Sequence, residues 1–116
     1  MKPMVFGDLE GEFTFVTWGT TRGPVIEAIA MLQAAGKKAR LVHFPWLFPF
    51  PTEDAMKLLA SSTRIIDVEQ NSTGQLAALI REHTGILIKE KILKYDGRPF
   101  YPEEIMGRVE GTGIRV

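Results

Sequence analysis

The chain is 116 residues long, 45% apolar, free of cysteine and balanced at 14 basic against 14 acidic residues. That size and composition suit one folded domain and exclude general disorder, disulfides, cysteine-ligated iron–sulfur clusters and thiolate zinc sites. Zero net charge without a basic stripe argues against nucleic acid, and no apolar run reaches the roughly 18 residues that a membrane span needs.

Residues 1–12 carry Gly7, Asp8, Glu10, Gly11 and Glu12 with little periodicity. They read as a lead-in or interdomain linker, which leaves 13–116 as a single α/β domain. The Met1-Lys2-Pro3-Met4 start lacks the apolar stretch of a signal peptide, so a cytoplasmic location is expected. Phe13-Thr14-Phe15-Val16-Thr17-Trp18 alternates aromatic and β-branched residues as a strand does. Gly19-Thr20-Thr21-Arg22-Gly23 is a tight connection, and Pro24 suits the first turn of a helix. That helix sets Val25, Ala28, Ile29 and Leu32 on one face and ends at Gly36.

Ala39 to Phe44 is a second strand, after which Pro45, Pro49 and Pro51 forbid regular structure. Thr52 is expected to cap a short helix with Glu53 and Asp54 in its first turn, where negative charge suits the dipole. Arg64-Ile65-Ile66-Asp67-Val68 is short and β-branched enough for a buried third strand. Leu76, Ala77, Leu79 and Ile80 then recur at helical spacing, with a stop near Thr84-Gly85. Ser72 and Gln75 fit a capping box at the start of that helix. Ile86 to Tyr95 suggests a fourth strand, which Lys89, Lys91 and Lys94 mark as an edge. Asp96-Gly97 turns the chain, and Pro102-Glu103-Glu104 opens a last helix that fades by Gly107. Strands alternating with helices imply a mostly parallel sheet with helices on both faces.

Glu69, Gln70 and Asn71 fall at the carboxyl end of the third strand, where open α/β sheets place ligand and partner sites. With Ser72, Thr73, Gly74 and Gln75 they form one candidate interface loop. A second is Gly19, Thr20, Thr21 and Arg22, whose backbone N–H groups could hold an anion. It lacks both the Gly-x-Gly-x-x-Gly spacing and a Walker lysine, and a glycine turn there also serves geometry alone. His43 and His83 have no companion at a metal-ligand spacing. His83 reads as a dipole contact at a helix end, and His43 as a hydrogen-bonded residue at a strand end. Pro45-Trp46-Leu47-Phe48-Pro49-Phe50-Pro51 crowds three aromatics and three prolines into seven residues. Either it folds over the sheet edge, or it leaves Trp46 and Phe48 as an apolar patch for a partner. Ser61, Ser62 and Ser72 lack a Gly-x-Ser-x-Gly setting, and Glu69 is a lone acid with no substrate pose. On residues alone this is a binding or assembly domain.

Five segments recur in one order: Thr17-Trp18-Gly19-Thr20-Thr21-Arg22-Gly23, Leu41-Val42-His43 leading to Pro49-Phe50-Pro51, Val68-Glu69-Gln70-Asn71-Ser72-Thr73-Gly74-Gln75, Lys94-Tyr95-Asp96-Gly97-Arg98-Pro99-Phe100 and Pro102-Glu103-Glu104-Ile105. Together they resemble the C-terminal domain of the α subunit of 2-oxoacid:ferredoxin oxidoreductases, the pyruvate and 2-oxoglutarate enzymes. The likeness covers about residues 13–106. More distantly, the chain is similar to the C-terminal domains of transketolase and of oxoacid dehydrogenase β subunits.

The resemblance implies a three-layer α/β/α fold, its sheet mostly parallel with one antiparallel strand. It implies a reaction in which a 2-oxoacid is decarboxylated on thiamine diphosphate. The acyl group passes to coenzyme A, and two electrons leave through iron–sulfur clusters to ferredoxin. It places the pyrimidine-binding acid on the preceding domain and the Gly-Asp-Gly motif for diphosphate and magnesium on the partner subunit. Gly7-Asp8-Leu9 only begins that pattern. No cofactor is therefore expected on this chain, which should be inactive alone, as the end of a longer α subunit or one piece of a split one. The implied partners are the thiamine-binding β subunit, the N-terminal part of the α subunit and, through the holoenzyme, ferredoxin. Arg98 is a candidate contact for an acidic partner or the phosphates of coenzyme A. Gly74→Val is expected to weaken docking more than stability. Two other readings stay open: the matching domain of a transketolase or dehydrogenase β subunit, and a free-standing flavodoxin-like module that binds an anion or nucleotide.

Overall fold

The computed structural model describes residues 2–8, 12–94, 98 and 100–109. In chain order the elements are β1 (Met4–Gly7), β2 (Phe13–Trp18), α1 (Arg22–Ala34), β3 (Ala39–Phe44), α2 (Thr52–Leu59), β4 (Ile65–Glu69), α3 (Gln75–Thr84), β5 (Glu90–Leu93) and α4 (Pro102–Val109). The strands form one sheet in the order β1-β3-β2-β4-β5. All neighbours run parallel except β1 against β3.

The alternation of side chains along each strand builds two cores, one on each face of the sheet. Phe13 and Phe15 of β2 join Leu41, Ile66, Val68 and Ile92 on one face. There α1 covers them with Val25, Ala28, Ile29 and Leu32, and α4 with Ile105 and Val109. Val16, Val42 and Phe44 point to the other face, under Ala55 and Leu59 of α2 and Leu76, Ala77 and Ile80 of α3. The result is the three-layer α/β/α sandwich. Each large apolar side chain so buried stabilises the fold by about 1.5–3 kcal/mol before entropy is counted.

Met4–Gly7, expected within a lead-in, is instead an edge strand, with Val5 opposite Val42 and Phe6 opposite Leu41. This is the antiparallel strand. Its four residues are mostly exposed, so they carry no buried alternation for a sequence pattern to reveal. Gly7 ends it at φ 97, where a Cβ would lie 2.6 Å from the Ala39 carbonyl oxygen. Only glycine fits that approach. The Asp8 carboxylate then accepts from the Ala39 N–H at 3.0 Å and from Gln33 Nε2 at 3.1 Å, tying the segment to β3 and α1.

Other differences are local. The fourth predicted strand is confined to Glu90–Leu93, on the sheet edge as expected. The last helix runs past Gly107 to Val109. Pro51, not Thr52, occupies the cap position of α2, and no side chain caps that helix. The predicted Asp96-Gly97 turn lies outside the described residues. Among the described residues, no helix is long and apolar enough to cross a membrane.

Candidate functional site

β2 and β4 are parallel neighbours whose chains diverge, since α1 leads from β2 to β3 while α3 leads from β4 to β5. In an open α/β sheet such a divergence leaves a crevice outside the carboxyl ends of the strands. A crevice of about 500 Å³ lies there, lined by Trp18, Gly19, Thr20, Thr21, Gln70, Asn71 and Gln75. The fold thus brings residues from both predicted loops into one place.

Glu69, the last residue of β4, organises the floor. Its carboxylate accepts from the Leu76 N–H at 2.9 and 3.0 Å, from Trp18 Nε1 at 3.0 Å and from Asn71 Nδ2 at 2.9 Å. The Ala77 N–H adds a weaker bond at 3.4 Å. The side chain is 1% exposed, so these donors replace water. Burial works to raise its pKa, but hydrogen bonds from Asp67, Leu76, Asn71 and Trp18 together hold it below the usual range. Asn71 Oδ1 in turn accepts from the Thr73 N–H at 3.1 Å and the Gly74 N–H at 2.8 Å. The expected capping box of Ser72 and Gln75 is therefore absent. Gly74 holds the cap position in the left-handed region at φ 67, and Glu69 satisfies the helix N–H groups instead. Ser72 and Thr73 lie exposed on the loop.

Asp67 sits two residues before Glu69 on the same face of β4, fully buried. Neither of its carboxyl oxygens meets an N–H or hydroxyl donor. Burial pushes its pKa up to about 10, the hydrogen bond to Glu69 and that carboxylate's charge push the same way, and Lys91 opposes them. Asp67 is thus a neutral acid at pH 7, with its proton available to Glu69. Neither Asp67 nor Trp18 was a sequence candidate. Two acids spaced i, i+2 in a β-branched strand were the available signal.

His43 lies on the other face of the sheet, beside Thr17 in the register, with Nδ1 2.7 Å from the Thr17 hydroxyl oxygen. Burial, helped by Arg22, pushes its pKa down to about 4, so it is neutral at pH 7. It is the hydrogen-bonded strand-end residue expected. Arg22 turns from the crevice toward β1, with Nη1 3.8 Å from Met4 Sδ and its guanidinium 5.9 Å from the Phe6 ring centre.

The proline–aromatic loop is divided between the core on one face of the sheet and the surface. Leu47 is buried, and Phe50 stacks between Phe44 at 5.5 Å and His83 at 4.9 Å. Trp46 and Phe48 stay 59% and 71% exposed. His83 is in the last turn of α3 as well as on that stack. Arg98 is joined to the crevice loop by its carbonyl, which accepts from Gln70 Nε2 at 3.2 Å. Its side chain lines a separate cavity of about 370 Å³ with Lys94, Phe100, Glu104 and Arg108.

Glu69 ties Trp18, Asn71 and the start of α3 together. Among the described residues, no group of three His, Cys, Asp or Glu could hold a metal ion.

The family model for pyruvate:ferredoxin oxidoreductase core domain II matches residues 11–105. Subunit alpha of 2-oxoacid:ferredoxin oxidoreductase 2 from Aeropyrum pernix is 39% identical over 109 residues. The match covers 94% of this chain but 17% of that subunit, so the chain spans a small part of its curated relative. A 2-oxoglutarate:ferredoxin oxidoreductase from Magnetococcus marinus, solved with 2-oxoglutarate, coenzyme A and succinyl-CoA bound, matches at TM-score 0.86 and 34% identity. That likeness covers 95% of this chain and 19% of the other. The alpha chain of a probable 2-oxoacid ferredoxin oxidoreductase from Thermoplasma acidophilum is 41% identical at TM-score 0.67, over 96% of each chain. A split-gene transketolase, in its inactive beta4 tetramer, shares the fold at TM-score 0.68 and 19% identity, over 92% of this chain and 41% of that one. With residues 11–105 matched by the family model and 39% identity over nearly the whole chain, the chain belongs to the pyruvate:ferredoxin oxidoreductase core domain II family, the domain it shares with 2-oxoacid:ferredoxin oxidoreductase α subunits.

Proposed function

We propose that this chain serves as the C-terminal assembly domain of the α chain of a cytoplasmic 2-oxoacid:ferredoxin oxidoreductase. The holoenzyme would decarboxylate a 2-oxoacid such as pyruvate or 2-oxoglutarate, form its acyl-CoA and reduce ferredoxin. The observation that carries the assembly role is the exposure of Trp46 and Phe48 on a loop whose Leu47 and Phe50 are packed inside. Large aromatics held out from a fixed loop are interface anchors by composition and by entropy. The loop from Glu69 to Gln75 stands at the same end of the sheet.

Thiamine diphosphate would supply the carbanion chemistry and iron–sulfur clusters the electron path. The donors of this chain do not suit either group. It has no cysteine, and the oxygens of Glu69 are already engaged by N–H donors. Asp67 is sealed within the sheet layer. The cofactor sites, with their magnesium and coenzyme A, are assigned to the remainder of the α subunit and to a thiamine-binding β subunit.

The test is reconstitution. The chain mixed with the thiamine-binding subunit and the upstream α domain should co-elute as one complex and reduce ferredoxin with a 2-oxoacid and coenzyme A. Omitting the chain should cost both assembly and activity. Electron transfer by the purified chain alone, or full activity of the other components without it, would refute the assignment.

A further inference from the structure

The two edges of the sheet differ in charge. β1 closes one edge with Met4-Val5-Phe6-Gly7, which carries no charged side chain. β5 closes the other. The Lys94 N–H donates inward to the Glu69 carbonyl at 3.0 Å. Successive residues of a strand turn their backbone groups to opposite sides, so Lys91 and Leu93 present theirs to the open edge. Cavities flank that edge on both faces of the sheet. One of about 400 Å³ lies against α3, with Arg81, Leu87 and Lys91 in its wall. The other, of about 370 Å³, lies against α4, with Leu93, Arg98 and Arg108.

The acids along this edge are already engaged. Glu90 accepts from Arg64 at 2.8 and 2.7 Å, and Glu104 accepts from Lys94 at 2.8 Å through both oxygens. Glu82 lies 3.6 Å from His83. The cations are left over: Arg81, Lys89, Lys91 and Arg108 form no hydrogen bond or ion pair with any described residue. Leu87 stands exposed among them. Two copies of such an edge brought together would repel, and β1 offers no acid to meet it. Lysines on an edge discourage pairing with neutral or basic strands, and the same charges favour an acidic one.

We propose that β5 is a docking edge for an extended acidic segment of a partner protein, which adds to the five-stranded sheet as a further strand. Its backbone pairs with the outward N–H and C=O groups of Lys91 and Leu93, and its alternate side chains enter the two cavities. Carboxylates on one face meet Arg81 and Lys91, and those on the other meet Arg108. Apolar residues between them rest on Leu87 and Leu93. Backbone pairing supplies the affinity, and the surplus positive charge on both faces selects the partner.

The probe is a fluorescent peptide of two Glu-Glu-Val-Val repeats, which alternates glutamate and valine on each face of a strand. Its anisotropy is followed as the 116-residue chain is added. Saturable binding is expected, at least about tenfold tighter than that of the Lys-Lys-Val-Val counterpart. Arg81→Gln with Arg108→Gln removes one cation from each face and should weaken binding about tenfold. N-methylation of alternate residues blocks backbone pairing without altering charge or the folded chain, and should abolish binding. No saturable binding, equal binding of the two peptides, or undiminished binding of the N-methylated peptide or to the variant overturns the proposal. So does a signal that falls again at high chain concentration, which would give the edge to a second copy. Tighter binding of a single-stranded oligothymidylate would give it to nucleic acid and overturns the proposal as well. The measurement uses no partner subunit and no 2-oxoacid, so its failure would leave the oxidoreductase assignment untouched, and the reverse also holds.

Discussion

Two buried acids on one strand have opposite roles, and substitution separates them. Glu69 is ionised and holds Trp18, Asn71 and the start of α3 together. Glu69→Gln turns one acceptor oxygen into a donor facing other donors. With charge-assisted bonds contributing about 1.5–3 kcal/mol each, a loss of roughly 3 kcal/mol is expected in urea unfolding at pH 7. Asp67 is neutral when folded, so Asp67→Asn preserves its charge state and its ability to donate to Glu69. The sign of its pH effect follows from its raised pKa. The folded chain keeps the Asp67 proton up to about pH 10, whereas the unfolded chain loses it near 3.8, so stability falls as pH rises between them. The slope is at most about 1.4 kcal/mol per pH unit. Asp67→Asn should therefore match the wild type near pH 4 and exceed it increasingly toward pH 9. A wild-type advantage that is constant with pH would show that Asp67 ionises in the folded chain. His43 acts in the other direction. Its folded pKa of about 4 lies below the ordinary 6.5, so its contribution is lost as pH falls through that interval.

At the scale of elements, the turn into α3 depends on a backbone conformation as much as on a side chain. Gly74 lies at φ 67, and a Cβ there would meet Lys91 Cδ at 3.3 Å. The expectation that Gly74→Val weakens docking more than stability therefore gives way to a direct cost in stability. A left-handed β-branched residue should cost about 2 kcal/mol or more, lowering the Tm by several degrees whether or not docking changes. Gly74→Ala should cost less, and equal melts for the two variants would show that the cost comes with the first Cβ and not with the β-branch. The same turn shows what could be read from the residues alone. β2, β3 and β4 were legible because strands covered on both faces are runs of aromatic and β-branched residues. The glycine and polar residues after β4 marked a turn, but Glu69 reaches Leu76 across the folded loop, which no local motif encodes. Ser72 and Gln75 matched a local pattern that this longer-range bond displaced. β1 escaped notice because it is four residues long and pairs with β3 some thirty-five residues ahead, with little of its own surface buried. The protonation of Asp67 is likewise a product of burial, not of spacing.

At the scale of the whole molecule, the chain supplies a stable sandwich whose edges and loops differ in purpose. The apolar residues of the two cores leave the proline–aromatic loop divided, with Leu47 and Phe50 inward and Trp46 and Phe48 outward. Exposed side chains away from packing contacts rarely change stability by more than about 0.5 kcal/mol when replaced. Buried interface aromatics, by contrast, often account for about 2 kcal/mol or more of binding. Trp46→Ser with Phe48→Ser should therefore leave the thermal melt of the chain nearly unchanged. The same pair should weaken capture by the thiamine-binding subunit and upstream α domain at least about thirtyfold, and ferredoxin reduction should fall in step. Leu47→Ser is the contrasting substitution, since its buried side chain should cost stability first and association only as a consequence. If the double variant assembles as tightly as the wild type, the loop is not the anchor and the contact surface must lie on another face of the sandwich.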